Sequence, residues 1–232
     1  MTLQDGPSSP PSSPPAGDAT LTAREIERRL SLALGRNRVP VLYPSTSPDS
    51  AGLPEELDAP PPPEETEPGT GLRRAAVLVP VVLGETPSVM LTLRAANLSA
   101  HAGQVALPGG RIEAGETPEA AALREAAEEV GLDPRLPRLL GRLPPHVTGT
   151  GYHVVPVVAL LRPPFTVTPD PAEVAEIFEY DLSRLLDPAL PERRVRRVEG
   201  RERAFWIWPH ESHLVWGATA AILRNLALVL RG

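Results

Sequence analysis

The stretch that decides the fold runs from residue 107 to residue 132, LPGGRIEAGETPEAAALREAAEEVGL. It predicts a helix over residues 117–130, on which the i, i+3, i+4 spacing places Glu125, Glu128 and Glu129 on one face. Three like charges there cost stability unless a cation lies between them, and Mg²⁺ or Mn²⁺ prefers such oxygen ligands. A solvated acidic face is the alternative that the helix by itself leaves open.

The ends and the opposite face of this helix also follow from the residues. Thr117 is a suitable N-cap, Pro118 fits the first turn, and Gly131 supplies a stop. The opposite face carries mainly small apolar side chains, which allow a close approach to a sheet. These are Ala121, Ala122, Ala126 and Val130.

Composition bounds the class of protein. The chain has 232 residues, 41% of them hydrophobic, which suffices for one sizeable domain. A net charge of −6 argues against a nucleic-acid partner or a polybasic membrane anchor. Because cysteine is absent, disulfides and thiolate metal sites are excluded. Neither a secretory signal nor an apolar run long enough for a bilayer is recognisable, so we expect a cytoplasmic protein that binds neither membranes nor nucleic acid.

Proline placement divides the chain, which has 30 prolines. Residues 1–20 are rich in Pro and Ser and predict a disordered tail. Residues 21–43 contain an amphipathic helix, which is indicated by a capping box and by apolar residues four apart. We expect this helix to pack on the core. Residues 44–72 are rich in Pro and acid and predict a linker or long loop. The remaining segment, 73–232, predicts a single domain.

Apolar runs within that domain predict mixed strands and helices. Residues 75–84 and 89–93 predict a hairpin, and 153–161 a further strand. Residues 173–182 favour a strand although their spacing is also helical, and a helix of about fifteen residues lies within 214–232. We therefore expect an α+β fold, in which helices flank a mixed sheet as an α/β/α sandwich.

The acidic stretch has the pattern G-x5-E-x7-R-E-A-x-E-E-x-G-L, starting at Gly110. This closely resembles the Nudix hydrolase box, a loop–helix–loop that binds a divalent metal and a diphosphate. Every charged and glycine position of that signature is filled, and only Ala126 is small for its place. The resemblance implies a Nudix-type fold and a metal-dependent diphosphohydrolase.

The resemblance also implies a role for each residue of the box. Catalysis and Mg²⁺ or Mn²⁺ binding are expected of Glu125, Glu128 and Glu129, and Glu116 in the loop is expected to join or shape the metal site. Arg124 is expected to pair with a loop glutamate. Gly109 and Gly110 are expected to let the backbone approach the substrate.

A second signature, MLTLRAANLSAHAGQVALPGG over residues 90–110, resembles the coenzyme A pyrophosphatase branch of this family. Leu107 departs from it, since the branch usually has Phe there. The resemblance implies a substrate with a diphosphate and a 3′-phosphate, and Arg94, His101 and Gln104 are the candidates to contact it. For each of these three, a role in shaping the strand end or the loop is the alternative.

A further glutamate downstream of the box serves many enzymes of this family as general base or metal ligand. Glu173 and Glu176 are the candidates, and we favour Glu173 because it follows a proline-containing loop. A surface acid before a strand is the alternative for either residue.

Three functions remain open from the sequence. The leading one is hydrolysis of coenzyme A, including acyl or oxidised forms, to 4′-phosphopantetheine and adenosine 3′,5′-bisphosphate. The second keeps the reaction but takes ADP-ribose, NADH or a modified nucleoside triphosphate. The third is a binding module without catalysis, which the complete set of box acids disfavours. In each case the partner is a small molecule, and the protein is a monomer or a homodimer.

Overall fold

The computed structural model describes residues 21–35, 71–98, 101–198 and 201–232. The predicted tail at 1–20 and nearly all of the predicted linker at 44–72 lie outside these ranges. The helices are α1 (Ala23–Leu34), α2 (Pro118–Val130), α3 (Leu182–Leu186) and α4 (Gly217–Arg231). None of the described helices is long and apolar enough to cross a bilayer.

The strands form two sheets in the described ranges. The larger sheet contains β1 (Arg73–Val82), β2 (Ser88–Arg94), β3 (Val105–Ala106), β4 (Gly109–Arg111), β5 (Arg138–Arg142), β6 (His146–Val147), β7 (Tyr152–Leu161) and β8 (Val174–Asp181). The smaller sheet contains β9 (Glu192–Val198), β10 (Arg201–Pro209) and β11 (Leu214–Trp216).

Strand β1 organises the larger sheet. It pairs in parallel with β7 along its whole length and antiparallel with β2 and β4. Strand β2 also pairs antiparallel with β8 over Ser88–Arg94 and, on its other edge, with the short β3 at Thr92 and Leu93. The predicted hairpin of β1 and β2 is confirmed, with Val82 opposite Ser88. The sheet is therefore mixed, as the sequence predicts.

Two apolar clusters fill the two faces of this sheet because side chains along each strand alternate. On one face, α2 packs through its buried alanines against alternate residues of β1, such as Ala76 and Leu78. On the other face, the intervening residues of β1 join α1, α3, α4 and the smaller sheet in a larger cluster. Helices thus flank the sheet on both sides, and the expected α+β sandwich is confirmed.

Helix α1 packs on the larger cluster. Thr22 caps it by accepting a hydrogen bond from the Glu25 amide, and its apolar stripe of Ile26, Leu30 and Leu34 is buried. The stripe is the one that the spacing of four predicts. The early helix is therefore part of the same packed unit as the last helix, α4.

Two arginines connect helices α1, α4 and α3. Arg29 of α1 donates a hydrogen bond to the carbonyl oxygen of Leu230 at the end of α4. Arg231 of α4 donates in turn to the carbonyl oxygens of Leu185 and Leu186 at the end of α3. Carbonyls in the last turn of a helix lack intrahelical donors and carry partial negative charge, so a guanidinium stabilises them.

The C-terminal region differs from the sequence expectation at one boundary. The helix begins at Gly217 and has the expected length, but Leu214–Trp216 is a strand that pairs with β10. Gly217 has a positive φ of 63°, which separates the strand from the helix. The ambiguous segment at 173–182 is a strand, β8, followed directly by the short helix α3.

We expect Leu30→Ala to lower the free energy of unfolding by about 2–4 kcal/mol, because it opens a cavity in a fully buried position. Leu32→Ala on the same helix is the matched control, since that side chain is 51% exposed and should cost less than about 0.5 kcal/mol. Urea unfolding measures both. Equal losses for the two variants would contradict the docking of α1.

Candidate active site

Helix α2 carries the acids because its two faces differ. The Thr117 hydroxyl accepts a hydrogen bond from the Ala120 amide at 3.2 Å, and Gly131 ends the helix in a left-handed conformation. The alanine face is buried against β1 and β4, so the glutamates lie along the edge of the sheet above the loop 107–117. The caps and the buried face are those that the sequence predicts.

Glu129 is the most deeply buried of these acids, with 3% of its surface exposed. Its Oε2 accepts the Gly109 N–H at 3.0 Å, and its Oε1 lies 3.6 Å from Nη1 of Arg94. Burial raises the pKa of Glu129 to about 7; Gly109 and Arg94 oppose that rise, and the charges of Glu125 and Glu173 add to it. Gly109 and Arg94 therefore compensate the buried charge of Glu129 only in part.

Arg124 joins three of the acids. Its Nε and Nη2 donate to the two carboxylate oxygens of Glu116, each at 3.1 Å, and its Nη1 donates to Glu125 at 2.9 Å and Glu128 at 3.1 Å. Nη2 also donates to the carbonyl oxygen of Arg111. These bonds lower the pKa of Glu116. The expected pairing of Arg124 with a loop glutamate is present.

Glu125 lies between this arginine and the glycine loop. Burial raises its pKa, Arg124 opposes the rise, and the charges of Glu128 and Glu173 add to it. A β-carbon at Gly110 would lie only 2.7 Å from Oε2 of Glu125, so that position has no room for a side chain. At Gly109 a β-carbon would lie 2.6 Å from the Cα of Val77 on β1. Gly109 is therefore required by the close approach of the β1 backbone, whereas a side chain at Gly110 would displace the Glu125 carboxylate.

The two glutamates downstream of the box, Glu173 and Glu176, have different surroundings. Glu173 is exposed at the start of β8, where its carbonyl oxygen accepts the Ala95 N–H at 2.8 Å. Its charge acts on both Glu125 and Glu129, so its side chain belongs to their surroundings. Glu176 instead lies 3.3 Å from Nε2 of His213. Of the two candidates, the structure thus brings Glu173 to the acids.

The upstream candidates also differ. Arg94 lies at the acids, against Glu129. His101 and Gln104 contact each other, with Nδ1 of His101 3.1 Å from Oε1 of Gln104, inside the loop that leads into β3. His101 has a positive φ of 57°, a backbone conformation that is uncommon for a non-glycine residue. Their observed contacts shape the loop, and substrate contact by either residue stays a prediction.

The residues fit a divalent cation by their chemistry. Glu125, Glu128 and Glu129 offer carboxylate oxygens from one helix face, and burial leaves two of them short of positive charge. Within the described ranges no three acidic or histidine side chains already converge as a ligand set. The physical reason is that Arg124, Arg94 and the Gly109 amide hold the carboxylate oxygens. The ligand roles stay predictions.

The contact of Arg94 with Glu129 is not predicted by the sequence. Arg94 was expected to meet substrate, and nothing in the local spacing connects strand β2 to the end of helix α2. The hydrogen bond from Gly109 to Glu129 was missed for the same reason. Both contacts depend on how β2, β4 and α2 come together on β1.

Comparisons with known proteins identify the family to which this sequence is similar. The family model for the NUDIX domain matches residues 72–199. A Photorhabdus laumondii protein called "Uncharacterized Nudix hydrolase NudL" is 41% identical over 174 residues, covering 74% of this chain and 91% of the relative. A protein of the same name from Escherichia coli O7:K1 is 42% identical over 157 residues, covering 67% of this chain and 82% of the relative.

Known structures also show similarity. The Deinococcus radiodurans protein DR0079 is 18% identical with a TM-score of 0.46, covering 69% of this chain and 88% of the other. A MutT protein from Methanosarcina mazei Go1 is 19% identical with a TM-score of 0.44, covering 68% and 91% respectively.

The family match and the relatives show that the chain is a hydrolase of the class that acts on phosphorus-containing anhydrides. The sandwich fold and the glutamates on α2 are consistent with that class. Enzymes of this class generally need divalent metal ions. The chain belongs to the NUDIX family.

We expect Arg124→Ala to lower the free energy of unfolding by about 2–3 kcal/mol, because partly buried Glu116 and Glu125 lose their charged donor. Arg135→Ala is the matched control, since among the described residues that exposed arginine pairs with nearby Asp133 alone, and its loss should be much smaller. Urea unfolding compares them. A loss for Arg124→Ala no greater than the control would contradict its bridging role.

Proposed function

We propose that this Nudix hydrolase cleaves the diphosphate bond of coenzyme A, and of its acyl or oxidised forms. The products are 4′-phosphopantetheine, or its acyl form, and adenosine 3′,5′-bisphosphate. The observation that carries the reaction is the set of box carboxylates at the glycine loop: Glu129 is buried against the Gly109 amide, and Glu125 is partly buried against Gly110. The choice of coenzyme A rests on the signature in residues 90–110.

The metal would be held by Glu125, Glu128 and Glu129, with Glu116 joining or shaping the site. A bound Mg²⁺ or Mn²⁺ supplies neutralisation of the diphosphate oxygens and acidifies an attacking water molecule. Arg124 holds Glu116 in place across the loop. Glu173, exposed at the strand end beside the other acids, is the candidate to accept the proton of the attacking water.

The substrate would be bound by groups on the facing loop and strand. Arg94 adds a guanidinium beside the acids, which suits a phosphate oxygen. Gly109 and Gly110 are assigned to substrate binding in this proposal through their backbone, because their side-chain positions are filled by Val77 and Glu125. His101 and Gln104 belong to the loop that follows Arg94, and we assign them to substrate binding in this proposal.

Incubation with coenzyme A and either Mg²⁺ or Mn²⁺ tests the proposal directly. We expect release of adenosine 3′,5′-bisphosphate, measured by ion-exchange chromatography, and no release when EDTA replaces the metal. Acetyl-coenzyme A, oxidised coenzyme A, ADP-ribose, NADH and 8-oxo-dGTP are compared at equal concentration. Absence of coenzyme A turnover with either metal would reject the proposed substrate, and a higher kcat/KM for another compound would favour the alternative.

We expect Glu128→Gln and Glu129→Gln each to lower kcat by at least about 100-fold, because each removes one charged ligand from the metal site. Glu113→Gln is the matched control: Glu113 lies exposed in the same loop, and its side chain takes no part in the proposal. Steady-state kinetics with coenzyme A measures all three. Full activity in either of the first two variants would show that its carboxylate does not hold the metal.

The monomeric or homodimeric state and the cytoplasmic location stay predictions beside this proposal. Size-exclusion chromatography with light scattering measures the first.

A further inference from the structure

Arg124 and Arg94, the two arginines beside the acids, differ in how many of their donors make hydrogen bonds. Arg124 directs donors to four acceptor groups, three carboxylates and the carbonyl oxygen of Arg111. In contrast, Nε of Arg94 is buried without a hydrogen-bond partner among the described residues. Its Nη1 lies 3.6 Å from Glu129, beyond ordinary hydrogen-bond distance. Arg94 therefore holds unused donors beside a candidate metal ligand.

An unused buried donor is unfavourable, because the group has lost water and gained no partner. The Arg94 side chain is 24% exposed, so an arriving ligand can reach it. A planar guanidinium matches the oxygens of a phosphate group, which can accept two parallel hydrogen bonds. The arrangement thus suits a phosphate that arrives beside Glu129.

The backbone of Arg94 is held by hydrogen bonds at both its N–H and its carbonyl oxygen. The Arg94 N–H donates to the carbonyl oxygen of Gln104 at 3.0 Å, and the Gly103 N–H donates to the carbonyl oxygen of Arg94 at 3.1 Å. Strand β2 also shifts register against β8 between Leu93 and Arg94, which interrupts the regular ladder there. A change of partner therefore needs only a side-chain rotation.

We propose that Arg94 exchanges partners: it neutralises Glu129 while the metal is absent, and binds a substrate phosphate once Glu129 holds the metal. This inference rests on the proposed function, because it takes Glu129 as a metal ligand. Before exchange, Arg94 competes with the metal for Glu129, and Glu129 competes with the anion for Arg94. Metal and anion consequently raise each other's affinity by the same factor.

The first test measures anion binding without metal. Methylenebisphosphonate, a diphosphate analogue, is titrated calorimetrically in EDTA into the unaltered protein and into Glu129→Gln. We expect about tenfold tighter binding in the variant, because Arg94 loses its competing partner. Glu128→Gln is the matched control, since it removes the same charge from an acid that pairs with Arg124, and should tighten binding less than about threefold.

The second test measures Mn²⁺ binding without anion, by electron paramagnetic resonance. We expect Arg94→Gln to bind Mn²⁺ about fivefold more tightly than the unaltered protein, because a competing cation has gone. Arg94→Lys keeps the charge and should bind Mn²⁺ like the unaltered protein. Arg135→Gln removes an exposed arginine elsewhere and should also leave the affinity unchanged.

The outcomes distinguish this inference from the function beneath it. Absence of Mn²⁺ binding to the unaltered protein would count against the metal-dependent function, and the exchange with it. Normal Mn²⁺ binding that is unchanged or weakened by Arg94→Gln would overturn the exchange alone, since a purely structural arginine has that effect. If Arg94→Gln does not fold, the anion test decides, and equal gains for Glu129→Gln and Glu128→Gln would overturn the proposal.

Discussion

Negative charge crowded along one face of α2 is the constraint on which the site depends. Burial raises the pKa of Glu125 and Glu129, and the charges of neighbouring carboxylates add to the rise. Arginines on either side limit the cost. Arg124 reaches from within the helix to the loop, and Arg94 reaches from the neighbouring strand. Arg124 thus offsets the charge of three acids, while Arg94 offsets that of Glu129 only in part.

The sheet supplies the geometry that the charges need. Strand β1 pairs with β4, and this pairing places Gly109 where its amide meets Glu129. The same strand pairs with β2, which places Arg94 on the other side of that carboxylate. Three segments that are separate in the chain therefore meet around one acid. Since α2 itself rests on β1 through small side chains, a change in that packing shifts both contacts of Glu129 together.

Local signals in the sequence are sufficient for helix α2 and its acidic face. Capping residues and periodic spacing are short-range features, and Thr117, Gly131 and the alanine face behave as such features predict. Long-range contacts are different in kind. The proximity of Arg94 to Glu129 depends on strand order, and no spacing within either segment encodes it.

Two further points needed the structure for related reasons. The sequence offers no local feature that distinguishes Glu173 from Glu176. In the structure Glu176 contacts His213, whereas the charge of Glu173 acts on Glu129. At the C-terminus, an apolar run continues through Leu214–Trp216 into the helix, so hydrophobicity gives no boundary there. The strand exists because β10 provides a partner, and Gly217 permits the turn between them.

The contact between Arg29 and Leu230 spans 201 positions of the chain. Helix α1 is synthesised well before α4, so the part of its docking surface that α4 supplies is missing until residues 217–231 have emerged. During synthesis its apolar stripe, with Ile26 and Leu30, is open to other binders in the cell. When the C-terminal helix frays, α1 keeps its contact with β5 but loses its cover from α4, which makes it more accessible to a protease.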